Sequence, residues 1–397
     1  MIIKKHRWLT VSVAIFLLTP LADATAPVVS NIAAVQRAGT QLVDITYNVT
    51  ADTPTVSVTL TISSDNGTTF SVPATTVSGA VGAGVTTGTG KAITWNAGAD
   101  WSKHYTTTMC FKVAADDLIL PNFTLIPAGS FQMGDALDGM SDAPIRSVTV
   151  SAFYMAQNEV TFSDWGTVQT WGFAHGYTDL AAGAGKATNH PVQTVSWYDT
   201  VKWCNARSEM EGLTPCYTLA GAVYKTTNST AVVCNWTSNG YRLPTEAEWQ
   251  KAARGGLSGK RFPWGDRISQ SQANYYGVPG SYTYDDGPAG YNSIGSAGGT
   301  TPATSPVGSF PANDYGLYDM AGNVLEWCWD FYGTYAAGTQ TDPRGYSNGS
   351  ARMWLGGCFY GNAGGTAPGC RVAARYNYAP TGRADFCGFR IARSSVP

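Results

Sequence analysis

The sequence predicts two domains of different fold class: an all-β sandwich over residues 27–117 and an α+β, loop-rich domain over residues 123–397. The first stretch is made of short segments in which apolar and polar residues alternate, which is typical of strands with one buried face. The second stretch contains helical spacings separated by long runs rich in Gly, Pro, Trp and Tyr. At 397 residues, the chain is long enough for two or three domains with cores of their own.

The first domain is predicted from three alternating runs and the turns between them. The runs VVSNIAAVQ, QLVDITYNVT and VSVTLTISSD are rich in Val, Ile and Thr, and Asp65-Asn66-Gly67 is a hairpin-turn signal. Short strands at regular spacing indicate an immunoglobulin- or fibronectin-like sandwich, whose expected role is that of a spacer or docking module. Trp95 and Trp101 either pack in its core or form a pair that stacks on sugars, and core packing is the more common role. Residues 118–122 form a short linker.

Helices are predicted at three places in the second domain. A helix is expected to start at Thr161, and a second runs from about Trp197 to Met210, where apolar residues recur three and four positions apart. A third follows Thr245, because a Thr with Glu248 three residues later fits a capping box.

The N-terminus predicts export. Lys4, Lys5 and Arg7 precede an apolar run from Trp8 to Leu21, and Ala22-Asp23-Ala24 fits a cleavage signal, so residues 1–24 are expected to be a signal peptide. The alternative is an uncleaved membrane anchor, although the run is short for a span. After cleavage no stable membrane span is expected, and the final compartment is periplasmic, cell-surface or extracellular.

Charge argues against a nucleic-acid partner. Only 13% of residues are charged and the formal net charge is −2, so the basic surface that binds a phosphate backbone is lacking. The many aromatic and glycine residues fit a loop-rich secreted protein better than a helical cytosolic enzyme.

The chain has eight cysteines, an even number that in an exported protein favours disulfides. Connectivity is not deducible from sequence, but Cys216 and Cys234 flank a hairpin-like stretch and form the best local pair. The cysteines lack zinc-site spacing, and the four histidines are scattered, so a zinc centre is not predicted.

A series of motifs from Phe123 to Arg393 resembles the formylglycine-generating enzyme, or sulfatase-modifying factor, family. In order they include IPAGSFQMG, HPVQTVSWYDTVKWCN, YRLPTEAEWQKAARGG, SPVGSFPANDYGLYDMAGNVLEWCWD, LGGCFYG, RVAAR and CGFRIAR. The resemblance implies a C-type-lectin-like fold with little regular structure for its size. It also implies oxidation of a sulfatase cysteine to formylglycine, for which two family cysteines bind Cu(I).

This chain departs from the family at those two cysteine positions. The family pattern is G-G-S-x-x-C-x-x-x-x-C, and counting from Gly356-Gly357 places the ligands on Gly361 and Thr366, or Ala367 when counted back from RVAAR. Soft thiolates suit Cu(I), and none of these residues supplies one. Cys358 and Cys370 are weak substitute candidates, more readily explained as a structural disulfide or as isolated buried thiols.

The resemblance also implies two calcium sites. The first would use Asp319, the carbonyls of Gly322 and Val324, and Glu326; the second would use Asn274 and the Tyr275 carbonyl, with Asp285 or Asp286 as a further ligand. The alternative for Asp319 and Glu326 is that they accept backbone N–H bonds that hold the turn.

The segment 354–390 is the predicted ligand-binding surface. Tyr and Asn mixed with Gly and Ala are typical of recognition loops, because Tyr offers contact area at low entropic cost. The arrangement resembles the variable proteins of diversity-generating retroelements, although a family loop without unusual diversity is the alternative. The candidate ligand-binding residues are Trp354, Phe359, Tyr360, Asn362, Arg371, Arg375, Tyr376, Asn377, Tyr378, Asp385 and Phe386.

The favoured function is therefore a secreted, non-catalytic protein that binds an unidentified protein or glycan. One alternative is a formylglycine-generating oxidase with rearranged thiols, which would need Cu(I). Another is a surface-attachment protein whose sandwich docks to an envelope or polysaccharide. An iron oxidase of the same fold would need a histidine cluster, against which the scattered histidines argue. The oligomeric state is not predicted.

Overall fold

The computed structural model describes residues 27–51, 55–102, 104, 106–116, 120, 122–297, 303–336, 338–362 and 364–395. The predicted signal peptide lies outside these residues, and of the predicted linker only Leu120 and Asn122 are described. The chain separates into two compact units, Met1–Pro121 and Asn122–Pro397. Among the described residues, the helices are all too short or too polar to cross a bilayer.

The first unit consists of antiparallel strands and one short helix. In chain order these are β1 (Val28–Gln36), β2 (Leu42–Thr50), β3 (Thr55–Ser63), β4 (Val77–Gly79), β5 (Gly82–Thr86), β6 (Gly88–Asn96), α1 (Ala97–Asp100) and β7 (Cys110–Asp116). One sheet has the order β1-β2-β6-β4 and the other β5-β3-β7. Residues from both sheets, among them Ile45, Ile62 and Trp95, are buried in one apolar cluster.

The tryptophan and turn predictions for this unit are confirmed. Trp95 is fully buried and its indole N–H donates to Asp100 at 3.0 Å, so it is a core residue and is not available for stacking on a sugar. Trp101 stacks on His104 and packs at the edge of the same cluster. Asn66 and Gly67 both have positive φ, 59° and 82°, as a tight hairpin turn requires.

The second unit mixes short strands with three helices. Its elements are β8 (Phe123–Ile126), β9 (Gly129–Met133), β10 (Arg146–Val150), β11 (Phe153–Ala156), α2 (Phe162–Ala174), α3 (Trp197–Met210), β12 (Tyr217–Leu219), β13 (Ala222–Val223), β14 (Val233–Cys234), β15 (Tyr241–Arg242), α4 (Glu246–Arg254), β16 (Leu325–Phe331), β17 (Gln340–Thr341), β18 (Arg352–Leu355), β19 (Tyr376–Tyr378), β20 (Cys387–Gly388) and β21 (Ala392–Ser394). Its sheets have the orders β17-β10-β9, β15-β21-β11-β8, β13-β12-β14 and β19-β18-β16-β20.

The three predicted helix starts are confirmed by their caps. Thr161, Ser196 and Thr245 each accept a backbone N–H from the third helical residue, whose acidic side chain accepts the cap N–H in return. This reciprocal bonding satisfies donors that the first turn of a helix leaves unpaired. Helix α4 then ends at Gly255, whose left-handed φ of 56° favours glycine.

The predicted Cys216–Cys234 disulfide is absent. Cys216 and Cys234 are both free thiols, and the seven cysteines of the second unit are buried. Strand β14 pairs Cys234 with Tyr217, so Cys216 is offset by one residue from the position directly opposite Cys234. Cysteines that are not directly opposite one another lack the usual geometry of a cross-strand disulfide, even though both lie in the same core cluster.

Candidate functional site

The turn at residues 319–324 leads directly into the central strand β16. Asp319, Gly322 and Asn323 have positive φ values of 55°, 84° and 63°. At Gly322 an added Cβ would lie 2.4 Å from the Asn274 carbonyl oxygen, so the close approach of these two segments requires glycine.

Strand β16 carries Glu326 into a buried ion pair. The guanidinium of Arg390 donates to both Glu326 oxygens at 2.6–2.9 Å, and the Trp249 indole N–H donates to Oε2 at 2.6 Å. Both partners are buried, with side-chain exposures of 0% and 1%. Glu326 is therefore fully engaged in holding β16 against α4 and the C-terminal segment.

Two further carboxylates lie near this pair, and the four residues Glu159, Asp319, Glu326 and Arg390 form the carboxylate cluster. Glu159 accepts from the Asn323 amide at 2.6 Å and from the Val324 N–H at 3.2 Å. Asp319 accepts the Gly308 N–H at 2.7 Å. The Asp319 contact matches the alternative reading of that residue as a turn-holding acceptor, whereas the partners of Glu326 are side chains.

The carboxylate cluster holds more negative charge than Arg390 can balance. Burial, followed by the charges of Asp319 and Glu326, raises the pKa of Glu159 well above its usual value. Burial also raises the pKa of Asp319 to about 6, against the opposing effects of the Gly308 N–H and Arg390. A buried surplus of carboxylates is the electrostatic condition under which a cation is stabilised.

The residues predicted for the second calcium site do not converge on one point. The Asn274 amide donates to Ala303, Ser305 and Asn323 at 2.9–3.4 Å, which places it beside the turn of the first site. Asp285 accepts from Val278 and Gly287 and from the Tyr275 hydroxyl. Asp286 is exposed and ion-paired with Arg267. Both aspartates are thus held by other partners.

The positions that correspond to the copper-binding cysteines carry no thiol. An added Cβ at Gly361 would lie 3.0 Å from the ring of Tyr276, and Ala367 is fully buried. The Thr366 carbonyl accepts the N–H groups of Gly369 and Cys370, so this residue supports a turn. Among the described residues, no group of three or more His, Cys, Asp or Glu residues is placed to hold a metal ion.

Cys358 and Cys370 are buried neighbours that are not bonded to each other. The S–H of Cys358 donates to the Tyr360 carbonyl at 3.7 Å, and Cys370 is hydrogen-bonded to the backbone of Cys358. Burial raises the pKa of Cys358 to about 12 and raises that of Cys370 well above its usual value. Since the thiolate is the nucleophile and the metal ligand, burial works against both roles.

Four of the predicted ligand-binding residues are engaged in the interior or in ion pairs, which corrects the prediction for them. Trp354 and Phe359 are 4% and 1% exposed, because both pack into the core below the segment. Arg375 is buried and binds Glu246 bidentately at 2.7 and 3.0 Å. Arg371 is ion-paired with Asp138 at 2.9 Å.

The other predicted residues reach the surface together. The Tyr360 and Phe386 rings stack with centroids 5.8 Å apart, and Tyr378, 43% exposed, stacks on buried Trp354 at 4.5 Å. Two tyrosines that the sequence prediction omitted, Tyr276 and Tyr291, join them. We call the set the recognition surface: Tyr276, Tyr291, Tyr360, Asn362, Tyr376, Asn377, Tyr378, Asp385 and Phe386.

Tyr276 and Tyr291 come from a separate loop that lies beside the C-terminal segment. The Tyr276 N–H donates to the Gly365 carbonyl at 2.8 Å, and its ring meets that of Tyr291 at 5.0 Å. Burial, together with the nearby groups of Tyr360 and Asp385, raises the pKa of Tyr291. Tyr276 lies in the ANYYG motif, but the sequence did not show that its backbone pairs with Gly365 of the C-terminal segment.

Comparison with known proteins matches residues 111–395 to the family model described as "Sulfatase-modifying factor enzyme 1-like domain". The match begins within β7 and covers the whole second unit except its last two residues.

Individual relatives include both active and inactive proteins. The formylglycine-generating enzyme of Mus musculus is 32% identical over 305 residues, covering 70% of this chain and 77% of the relative. The inactive Cα-formylglycine-generating enzyme 2 of Bos taurus is 31% identical and covers 68% and 87%. Among solved structures, Treponema denticola variable protein 1 is 28% identical with a TM-score of 0.54, covering 69% of this chain and 95% of that one.

Proposed function

The chain belongs to the sulfatase-modifying factor family, and from that premise we propose that it is an exported, non-catalytic protein that binds a ligand through its recognition surface. The proposal rests on a contrast within the segment 354–390, which lacks the copper ligands but exposes aromatic rings. The positions that would hold copper carry Gly361 and Thr366 or Ala367, while the surrounding segment presents stacked aromatic rings to solvent.

The composition of the recognition surface supports binding. Tyrosine contributes a large, rigid contact area with a polar end, and asparagine supplies adaptable hydrogen bonds. Tyr360 and Phe386 are held by their mutual stacking, and Tyr378 is held by Trp354. Pre-organised rings of this kind lose little side-chain entropy when a ligand binds.

The relatives also support a binding role without oxidation chemistry. One is described as inactive, which is consistent with a family scaffold that persists without the oxidation chemistry. Another is described as a variable protein, which is consistent with a binding role for the scaffold. We propose a protein or glycan ligand, with retroelement diversification as one origin of the segment. A near-copy of its coding sequence, differing mainly at adenines, would support that origin.

The proposal extends to calcium at the first predicted site. The surplus of buried carboxylates fits a divalent cation, and Asp319 with nearby backbone carbonyls offers the oxygen ligands that calcium prefers. Glu326 is a poor ligand because Arg390 and Trp249 occupy its oxygens. When bound, calcium would neutralise the cluster and hold the 319–324 turn.

For the first unit, we propose an immunoglobulin- or fibronectin-like sandwich that spaces or docks the second unit after export. For the second, we propose the C-type-lectin-like arrangement that the family implies.

Binding to a glycan array and to a displayed-peptide library tests the function. We expect a hit that the double variant Tyr360→Ala and Tyr378→Ala loses and that Phe173→Ala retains, since Phe173 is exposed on α2 outside the recognition surface. A hit that survives the double variant would place binding elsewhere and contradict the proposal.

A formylglycine-generating oxidase remains the second candidate, because Cys358 and Cys370 are reduced neighbours. Turnover of a cysteine-containing sulfatase peptide with Cu(I) and oxygen tests it. The binding proposal expects no turnover and unchanged ligand binding in Cys358→Ser. Turnover that Cys358→Ser and Cys370→Ser both abolish would favour the oxidase.

A further inference from the structure

A cavity of ≈ 350 Å³ opens beside the end of β16 and shares no residue with the recognition surface. Its volume lies at the lower end of the range for small-molecule sites. The lining residues used below are Arg146, Glu246, Asp330, Tyr335, Tyr346 and Arg375.

Charge in this cavity is not balanced by the protein. Arg375 takes both oxygens of Glu246. Within the part of the chain that the structure describes, the Arg146 guanidinium donates hydrogen bonds only to the Ala336 carbonyl at 3.2 Å and the Met133 sulfur at 3.6 Å. It also lies over the Tyr335 ring, 4.1 Å from the ring centroid. Its Nε is buried without a hydrogen-bond partner, and the ion pairs among the described residues do not include it.

Asp330, the second acid of the cavity, does not supply the negative charge that would balance Arg146 at neutral pH. Asp330 is 4% exposed and accepts the Glu246 N–H at 2.8 Å. Burial, followed by the charge of Glu246, raises the pKa of Asp330 to about 8. Two smaller effects are the charge of Glu248, which also raises this pKa, and the charge of Arg352, which lowers it. Three guanidinium groups, those of Arg146, Arg344 and Arg375, therefore line the cavity, and only Arg375 is paired with Glu246.

The remaining wall offers a ring and hydroxyl groups. Tyr346 is 46% exposed and its ring lies against Gly333, where an added Cβ would meet it at 2.2 Å. Its hydroxyl is hydrogen-bonded to that of Thr334 at 2.6 Å. An aromatic face beside hydroxyl groups suits the apolar face and polar edge of a sugar ring.

We propose that this cavity binds a hexuronate, a cyclic sugar acid, with its carboxylate on Arg146 and its ring against Tyr346. An anion that contacts the partly exposed guanidinium of Arg146 would offset the excess positive charge, and a charge-assisted bond to a guanidinium is among the stronger polar contacts in proteins. Neutral hexoses have the ring but lack the group that Arg146 requires.

Calorimetric titration with D-glucuronate, D-glucose and inorganic phosphate tests the proposal. We expect glucuronate to bind at least about ten-fold more tightly than glucose, since a lost charge-assisted bond is worth about a factor of ten or more. It should also bind more tightly than phosphate, which keeps the charge but lacks the ring that packs against Tyr346. Arg146→Gln should abolish glucuronate binding, Arg146→Lys should restore part of it, and Arg267→Gln, at an exposed arginine outside the cavity, should have no effect. Circular dichroism confirms that each variant is folded.

The pH dependence provides a readout that a purely structural role for Arg146 would not give. Glucuronate affinity should fall as the pH rises through about 8, because ionised Asp330 then cancels the positive charge. Asp330→Asn should remove this fall. Equal binding of glucose and glucuronate, equal binding of phosphate, or no change in Arg146→Gln would each overturn the assignment, as would the absence of glucuronate binding to the wild-type protein.

Discussion

The carboxylate cluster and the recognition surface both draw most of their residues from the C-terminal third of the chain, yet their side chains are held in opposite ways. Glu326 and Arg390 are fully buried and satisfy one another with bonds of 2.6–2.9 Å. Tyr378 and Phe386 touch the protein mainly through ring stacking. Residues of the first kind fix the position of the segment, so residues of the second kind can change without unfolding it.

The largest loss of stability should come from replacing Arg390, the only cation of the carboxylate cluster. Arg390→Met leaves Glu326 buried and unpaired beside Glu159 and Asp319, so we expect a loss of about 3–5 kcal/mol in the free energy of unfolding, measured in urea. Arg267→Met, which breaks an exposed ion pair with Asp286, should cost about 1 kcal/mol or less. Similar losses for the two variants would contradict the contrast between buried and exposed positions.

The pH dependence of stability should report next on two buried acids, Asp319 in the carboxylate cluster and Asp330 in the cavity. Asp330 has an ordinary pKa of 3.8 and a folded pKa of about 8, so between these values the folded protein keeps a proton that the unfolded chain has released. Stability should therefore be greatest near pH 4 and fall as the pH rises towards 8, by at most about 1.4 kcal/mol per pH unit for this group.

The matched variant for this effect is Asp330→Asn, which should reduce the fall in stability between pH 6 and 8, while the contribution of Glu159 remains. Below about pH 6 a smaller slope from Asp319 should persist. An unchanged slope in Asp330→Asn would show that other groups cause the pH dependence. The exposed Asp286→Asn serves as the control, and should leave the profile unchanged in this range.

Calcium should increase the stability of the folded protein moderately, and only by binding at the carboxylate cluster. Saturating calcium, at about a hundred times its Kd, should stabilise the protein by about 2.7 kcal/mol, seen as a rise in the melting temperature. Asp319→Asn should reduce this rise because it removes a charged oxygen ligand, whereas Asp286→Asn should not. A rise that is equal in both variants would place calcium at another site.

Sequence reasoning succeeded where a local pattern determines the outcome. The helix start at Thr161, the capping box at Thr245, the burial of Trp95 and the family of the second unit could all be predicted from short motifs. Each depends on residues a few positions apart, or on an ordered series of motifs that one sequence displays.

The errors came from long-range packing. Arg375 was expected at the surface, but it meets Glu246, which is 129 residues away in sequence. Trp354 was expected to face a ligand, but strand pairing turns it into the core beneath Tyr378. Tyr276 was missed because its contact with Gly365 depends on how two loops meet. Composition indicates what a segment can bind, and the fold decides which of its side chains are exposed.

The smallest loss of stability is expected at Tyr378, the exposed ring of a stacked pair, and its buried partner Trp354 provides the sharpest comparison. Trp354 is 4% exposed and Tyr378 is 43% exposed, with centroids 4.5 Å apart. Trp354→Ala should cost about 3–5 kcal/mol through the cavity it leaves, whereas Tyr378→Ala should cost only about 1 kcal/mol, the value of an exposed aromatic contact. Urea unfolding measures both losses, and titration of the ligand found on the array measures binding to the folded Tyr378→Ala variant. If folded Tyr378→Ala binds the ligand as tightly as the wild-type protein, Tyr378 only shields Trp354 from solvent. The recognition surface must then be defined without Tyr378.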